Sequence, residues 1–178
     1  MIKQLTWKDI SIGLFMKMEL IKSIESSKVH KYIEIVGLLY GIKDPRELTM
    51  EEYGKYVVAM AALRVLPPTA KTMTTETTVN GKKFTRVIDI NKLTGGQFID
   101  FSVMREANKT NELLAILYDN PDMDFRQKCN WIKEHETVEN AIPYINFFMV
   151  SMKELQKRTH QFSVATKTKT KRPRFPSP

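Results

Sequence analysis

The sequence has few of the residues that form covalent cross-links or membrane spans. Cysteine occurs once among 178 residues, as Cys129, which excludes an intramolecular disulfide and a zinc site built from several cysteines. No apolar run approaches the roughly 20 residues that cross a bilayer, and the N-terminal stretch MIKQLTWKDIS lacks the apolar centre of a signal peptide. These absences predict a protein that is made and kept in a reducing cytosol, without a membrane partner.

Sequence signatures of catalysis and cofactor binding are also missing. Thr94-Gly95-Gly96 follows a strand-like run, but neither the lysine of a Walker loop nor the GxGxxG spacing of a dinucleotide fold accompanies it. The three histidines are scattered, without partners at metal-ligand spacing, and the acidic stretch from Asp119 to Asp124 lacks the central glycine of a calcium loop. We therefore predict a non-enzymatic protein with no catalytic residue, no metal site and no cofactor.

Basic residues are concentrated at the C-terminus. Residues 161 to 178, QFSVATKTKTKRPRFPSP, contain five bases and no acid, and so account for more than half of the net charge of +8. This composition predicts an extended arm that does not fold alone. The residues expected to contact an acidic protein surface or DNA are Lys167, Lys169, Lys171, Arg172 and Arg174, with Phe175 as an apolar anchor. A solvated tail that only improves solubility is the alternative.

Hydrophobic spacing predicts a mainly α-helical (α+β) fold. Apolar residues three and four positions apart indicate three amphipathic helices before Pro67-Pro68 and further helices after residue 92. The last helix is the longest. Because proline is tolerated best in the first turn of a helix, Pro143 predicts that this helix begins near Asn140.

A β-hairpin is predicted between the two helical regions. Asn80-Gly81 lies between a threonine-rich run and the run from Lys82 to Ile90, and Asn-Gly supplies the two positive-φ residues of a type I′ turn. A two-residue loop places Thr77 opposite Phe84 and Met73 opposite Ile88. Two strands alone are seldom stable, so their edges are expected to pack on helices or to recruit another strand.

One helix-start pattern occurs three times, as an aliphatic residue, then Ser or Thr, then an aromatic residue four positions later. The three copies are Ile10-Ser11 with Phe15, Leu48-Thr49 with Tyr53, and Leu93-Thr94 with Phe98. The hydroxyl is expected to cap the helix while the aliphatic and aromatic residues form a hydrophobic staple. Glycine beside the third cap is expected to let another segment approach closely.

The repeated caps, together with the similarity of EIVGLLY to ELLAILY, predict an internal duplication. The expected organisation is an N-terminal helical unit (residues 1–68), a hairpin connector (69–91), a C-terminal helical unit (92–160) and the basic arm (161–178).

Ten methionines are present, several of them on predicted helical faces. Flexible, polarisable side chains of this type suit adaptable grooves that bind partner helices. For any single methionine ordinary core packing is the favoured interpretation, and only the group as a whole points to a binding surface. The methionines in question are Met16, Met18, Met60, Met104, Met149 and Met152.

The repeated caps, the start LTGGQFIDF after a strand and the helix ELLAILY before an acidic turn resemble small structural and tail-assembly proteins of tailed bacteriophages, particularly the crAss-like group. The resemblance covers residues 5 to 150 and leaves the arm outside. It implies a non-enzymatic virion or assembly protein, located in the virion or in the host cytoplasm, that binds other structural proteins such as portal, neck, tail or tape-measure proteins within an oligomeric assembly. Two alternatives are a tail-assembly chaperone absent from the mature particle and a packaged nucleic-acid-binding protein.

Overall fold

The computed structural model describes residues 1–67 and 72–169, with side chains described as far as Glu154. Helices dominate this part of the chain, as predicted. They are α1 (Ile12–Ser23), α2 (Lys28–Tyr40), α3 (Met50–Ala59), α4 (Gly95–Glu106), α5 (Thr110–Leu117), α6 (Phe125–His135) and α7 (Val138–Lys169). The strands are β1 (Glu76–Val79), β2 (Lys82–Arg86) and β3 (Tyr118–Asp119), in the sheet order β1-β2-β3 with both pairs antiparallel. Short 3-10 turns cover Pro45–Glu47, Ala61–Arg64 and Ile90–Lys92.

The three predicted helix caps are confirmed. Ser11 caps α1 by accepting a hydrogen bond from the Leu14 N–H, and Thr49 and Thr94 form complete capping boxes at the starts of α3 and α4. A third capping box, made by Asp124 at α6, ends the acidic turn. Each cap satisfies N–H groups that have no partner within the helix, which explains why these helices begin where they do.

The hairpin has the predicted turn but shorter strands than expected. Asn80 and Gly81 both have positive φ, at 46° and 81°, as a type I′ turn requires. Thr77 pairs with Phe84 as predicted, whereas the predicted pairing of Met73 with Ile88 is wrong. After Arg86 the chain turns to the end of α5, where the Val87 N–H donates to the Leu117 carbonyl at 3.0 Å. This contact with α5 replaces further pairing with the first strand of the hairpin.

Helix α7 begins earlier than predicted. It starts at Val138 and carries Pro143 inside it, so the prediction of a start near Asn140 is wrong. The Val138 N–H donates to the Ile10 carbonyl at 2.9 Å, and the Ile12 N–H donates to the Glu136 carbonyl at 2.8 Å. This short antiparallel bridge holds the starts of α1 and α7 together. It satisfies the first N–H of α7 from outside the helix, which a reading of local sequence does not detect.

The predicted arm overlaps the end of this helix. Helix α7 continues through Lys169, so residues 161–169 lie in a helix and not in the extended arm that the composition predicts. Residues 170–178 lie outside the described residues.

A single hydrophobic core joins the two predicted helical units. Its largest fully buried side chains, Phe84, Phe101, Tyr118, Tyr144 and Phe148, come from the hairpin, α4, the end of α5 and α7. Ile12 of α1 belongs to the same cluster, and α1 contacts α2, α5, α6 and α7. The duplication and its unit boundaries stay a prediction, although α1 and α4 each contain 12 residues after their caps.

The N-terminal segment links distant parts of this core. The Trp7 indole N–H donates to the Val65 carbonyl at 2.6 Å, and the Leu5 N–H donates to the Ala59 carbonyl at 3.0 Å. The Trp7 ring also meets Phe15 of α1 edge-on, with centroids 6.2 Å apart. The segment therefore ties the end of α3 to the start of α1. Among the described residues, no helix is both long enough and apolar enough to cross a membrane.

Candidate protein-docking groove

An open groove of about 580 Å³ lies between α1, α2, α3 and the 3-10 turn that follows α3. It forms because α1 and α2 pack side by side, α2 also packs on α3, and no described helix covers the channel between them. The apolar residues that line it are Met18, Ile35, Leu39, Val57, Met60 and Leu63. A groove with an apolar floor between helices is the usual setting for a docked helix or a small amphipathic ligand.

Two tyrosines give the groove an uncharged polar element. Tyr32 of α2 and Tyr53 of α3 both line it, and Tyr32 is 54% exposed. Burial raises the pKa of the Tyr53 hydroxyl, and the neighbouring Tyr32 adds to the shift. The Tyr53 hydroxyl therefore stays neutral at neutral pH, and both tyrosine hydroxyls can donate or accept hydrogen bonds.

The charged side chains that line the groove are basic. Lys22 of α1 is partly neutralised by Glu19, since their charged atoms are 2.7 Å apart. Arg64 is exposed at the end of the 3-10 turn and has no hydrogen bond or ion pair with any other described side chain. An exposed guanidinium at the rim of an apolar groove favours a ligand that carries a carboxylate beside its apolar surface.

Apolar surface continues beyond the groove. Val58 and Val65 are 71% and 77% exposed, and Leu20, Ile24 and Val29 on α1, α2 and their connection are also largely exposed. Scattered exposed apolar residues are normal, but these belong to the same helices and turn as the groove. Contiguous apolar surface with a polar rim marks an interaction site.

The structure places the predicted methionines in two environments, the floor of the groove and the rest of the core. Met18 and Met60 line the floor of the groove, but both are buried members of the core cluster, at 4% and 8% exposed. Met152 is buried in the core, and Met104 and Met149 pack against it. Helical spacing predicts a methionine face in each case, but only the packing of neighbouring helices decides which face stays open.

The predicted contact residues of the arm are not brought to this groove by any described contact. Lys167 and Lys169 lie on the described backbone of α7, with side chains outside the described set. Lys171, Arg172, Arg174 and Phe175 lie outside the described residues. Their role in binding DNA or an acidic protein surface stays a prediction.

The glycine pair at the start of α4 has a different environment from its counterpart in α1. A Cβ on Gly13 would lie 2.7 Å from the Lys133 carbonyl oxygen of α6, so this glycine does permit a close approach. A Cβ on Gly95 would meet no described atom within 4 Å, and on Gly96 only the Thr94 hydroxyl at 4.0 Å. Within the described chain, nothing approaches the glycine pair, and the expected close contact is not made there.

A buried polar cluster was not predicted from the sequence. Arg86 lies over the rings of Tyr144 and Tyr118, at 5.1 and 5.5 Å from their centroids, and its guanidinium donates to the Tyr118 hydroxyl at 3.3 Å. Glu136 is 1% exposed. One of its carboxylate oxygens accepts from the Thr137 N–H, while Oε2 and the Arg86 Nε have no hydrogen-bond partner among the described atoms.

Burial dominates the electrostatics of this cluster. It raises the pKa of the Glu136 carboxyl, although the Thr137 N–H, Tyr118 and the Arg86 charge all act in the opposite direction. Burial likewise raises the pKa of the Tyr118 and Tyr144 hydroxyls far above the usual range. The Tyr144 hydroxyl donates to the Val87 carbonyl at 2.8 Å, so the cluster joins the hairpin to the start of α7. It is a structural polar network.

No protein-family model, curated protein or solved structure matches this chain. Among the described residues, no group of three or more His, Cys, Asp or Glu side chains is placed to hold a metal ion. The groove is a candidate docking site in the described chain, which also has a larger open cleft of about 770 Å³ between α1 and the α4–α5 connection.

Proposed function

We propose that this protein is a non-enzymatic assembly protein of a tailed bacteriophage, which binds other structural proteins and docks an amphipathic helix of a neighbouring subunit in the groove between α1, α2 and α3. The observation that carries the binding role is this open apolar groove with its free arginine at the rim. The phage setting rests on the resemblance of the helix starts and of the ELLAILY helix.

A helix is the ligand that suits the groove best. Three helices already enclose the groove on its sides, so a fourth helix would complete a local bundle and cover the more exposed lining residues Tyr32, Val57 and Leu63. Such a ligand places apolar residues at spacings of three and four along one face. A carboxylate on its flank would meet Arg64, and the hydroxyls of Tyr32 and Tyr53 would form hydrogen bonds with its polar edge.

Site-specific photo-cross-linking in infected cells tests this proposal. A photoreactive phenylalanine analogue replaces Tyr32 at the groove, and the matched control replaces Phe125 on α6. Both are partly exposed aromatic residues, at 54% and 46%, but Phe125 does not line the groove. We expect cross-links from position 32 to map to one amphipathic helix of a structural protein, with few or none from position 125.

Cross-links that are equally strong from both positions, or absent from position 32, would contradict a docking role for the groove. Mass spectrometry of purified particles then separates two versions of the function. Presence of the protein in the particle indicates a permanent virion component. Its absence, together with a specific cross-link to a tail protein, indicates an assembly chaperone.

A further inference from the structure

The outer face of α4 is an apolar ridge that no described part of the chain covers. Gly96, Ile99 and Val103 follow one another at spacings of three and four residues and so share one face of the helix. Ile99 and Val103 are 63% and 53% exposed. On the opposite face Phe101 is fully buried against Phe148 of α7, with ring centroids 5.1 Å apart. The inner face of α4 therefore packs on the core, and the outer ridge faces away from it.

This ridge carries acidic charge and no basic side chain. Glu106 lies three residues beyond Val103 on the same face, and the exposed Asp100 lies on its flank. Arg105 projects from a different side of the helix, and its ion pair with Glu106 is long, at 3.8 Å with both side chains exposed. Exposed ion pairs of this kind contribute little to stability. The carboxylates of Asp100 and Glu106 are therefore both able to bind another molecule.

The glycines at the start of the ridge allow close packing. Nothing in the described chain would contact a Cβ on Gly95, and only the Thr94 hydroxyl would contact one on Gly96. Two glycines in the first turn of a helix cost helix stability relative to alanine, and no contact within the described chain requires them. Absence of a side chain lets another helix approach the backbone at this position.

We infer that the occupant of the groove is α4 of a second copy of this chain. This inference rests on the proposed docking function of the groove. The two surfaces are complementary: the groove has an apolar floor with Arg64 and Lys22 at its rim, whereas the ridge has apolar residues flanked by carboxylates. The basic segment 161–178 carries no acid and does not suit a rim that is itself basic.

The contact is heterologous, because the groove and the ridge are different surfaces of the same chain. Each copy then offers its ridge to one neighbour and its groove to another. Repeated contacts of this kind produce a closed ring or an open filament, depending on the rotation between neighbours. Assembly by this route uses every copy in the same way and leaves a free groove at one end of an open chain and a free ridge at the other.

Sedimentation velocity and light scattering on the purified full chain, up to roughly 1 mM, test the inference. We expect the wild-type mass to rise with concentration. Ile99→Asp on the ridge and Tyr32→Asp with Arg64→Glu in the groove are each expected to weaken self-association at least tenfold. Val150→Asp, at a similarly exposed position on α7 (55%), is the matched control and is expected to associate like wild type. Circular dichroism and melting curves check that each variant is folded.

Mixing the ridge variant with the groove variant gives the decisive result. Each variant retains one intact surface, so the mixture is expected to form a 1:1 dimer that cannot grow, while each variant alone stays monomeric. If the groove variant still dimerises alone, the ridge pairs with itself and the inference is wrong. A wild-type chain that stays monomeric throughout the concentration range overturns it as well.

Gly96→Ala supplies a test that does not depend on a disruptive substitution. It is expected to raise the melting temperature of the monomer, since alanine stabilises helices, and also to weaken self-association by crowding the contact. An unchanged association constant would count against close packing at this position. If self-association fails while position 32 still cross-links to a foreign helix, the proposed docking function stands and only the identity of the occupant is wrong.

Discussion

At the scale of single residues, the most unusual feature is two ionisable side chains inside the core, Arg86 and Glu136. Arg86 is 9% and Glu136 is 1% exposed, yet each has a polar atom without a described hydrogen-bond partner. Removing charges from water costs several kcal/mol per ion, and attraction between them offsets this only with good geometry. The Arg86 guanidinium lies over the rings of Tyr118 and Tyr144 and donates a hydrogen bond to the Tyr118 hydroxyl. The cluster therefore connects the hairpin to the helices, although one polar atom each of Arg86 and Glu136 has no described hydrogen-bond partner.

Glu136→Gln is expected to change how stability depends on pH. Because burial raises the pKa of the Glu136 carboxyl above its ordinary value of 4.5, the folded protein holds this proton more tightly than the unfolded chain. The stability contributed by the protonated form is complete below about pH 4.5 and is lost as pH rises through the folded-state pKa. The melting temperature of wild type minus that of Glu136→Gln should therefore fall as pH rises above 4.5.

Melting curves measured by circular dichroism from pH 4 to pH 8 check this expectation. The other carboxyl groups are common to both proteins, so they cancel in the difference. Parallel curves for the two proteins across this range would show that Glu136 does not titrate differently in the folded state.

At the scale of elements, two helices that begin alike have different neighbours. Gly13 and Gly96 both occupy the second position after a hydroxyl cap, in α1 and α4. Gly13 faces the backbone of α6, whereas Gly96 faces open space. The same local sequence pattern thus serves close packing within the chain at one site and leaves a free surface at the other.

Alanine substitutions at these two glycines are expected to have opposite effects. Gly13→Ala places a Cβ 2.7 Å from the Lys133 carbonyl oxygen, so α1 and α6 must separate, at a cost of about 1–3 kcal/mol typical of overpacking. Gly96→Ala should stabilise the monomer by about 0.4–1 kcal/mol through reduced freedom of the unfolded chain. Urea unfolding, measured under dilute monomeric conditions, compares the two. Equal destabilisation by both would contradict the difference in packing.

The cap of α3 also offers a clear test, because α3 forms one wall of the groove. The Thr49 hydroxyl accepts a hydrogen bond from the Glu52 N–H, and the Thr49 N–H donates one to the Glu52 carboxylate. Thr49→Ala should lower stability by about 1 kcal/mol, whereas Thr49→Ser, which keeps the hydroxyl, should change it by a few tenths. Thermal unfolding of the three proteins measures this, and a serine variant as unstable as the alanine variant would exclude the cap as the cause.

At the scale of the whole molecule, the core does not divide at the hairpin. Side chains from residues 5 to 152 form one hydrophobic cluster, and the N-terminal segment bonds to the end of α3 and to the start of α7. Two units related by duplication would each need a separate core to fold alone. The observed packing instead makes each half complete the other.

Unfolding is therefore expected to be a single cooperative transition. Ile12→Ala in α1 and Phe148→Ala in α7 each remove a fully buried side chain. Each should lower the free energy of unfolding by roughly 2–5 kcal/mol and shift the one shared melting transition to a lower temperature. Differential scanning calorimetry provides the measurement. Two separate transitions, with each substitution shifting only one of them, would show that the halves are independent units.

The sequence by itself determined the local features. A hydroxyl followed three residues later by Glu or Gln encodes a helix start, and Asn80-Gly81 encodes the hairpin turn, because caps and turns are decided by atoms within four residues. Helical spacing likewise predicts which residues share a face of a helix, and the mainly helical fold with a hairpin followed from these signals.

Tertiary structure decided the features that depend on distant partners. The end of β2 is set by Leu117, and the start of α7 is set by Ile10. The groove exists only because α1, α2 and α3 pack together while no described helix covers the channel between them. The buried side chains of Arg86, Tyr118 and Glu136 come together from segments that lie far apart in the chain. Spacing along a chain predicts which side chains share a face. The free energy of packing one face against another decides which faces are buried and which remain available to a partner.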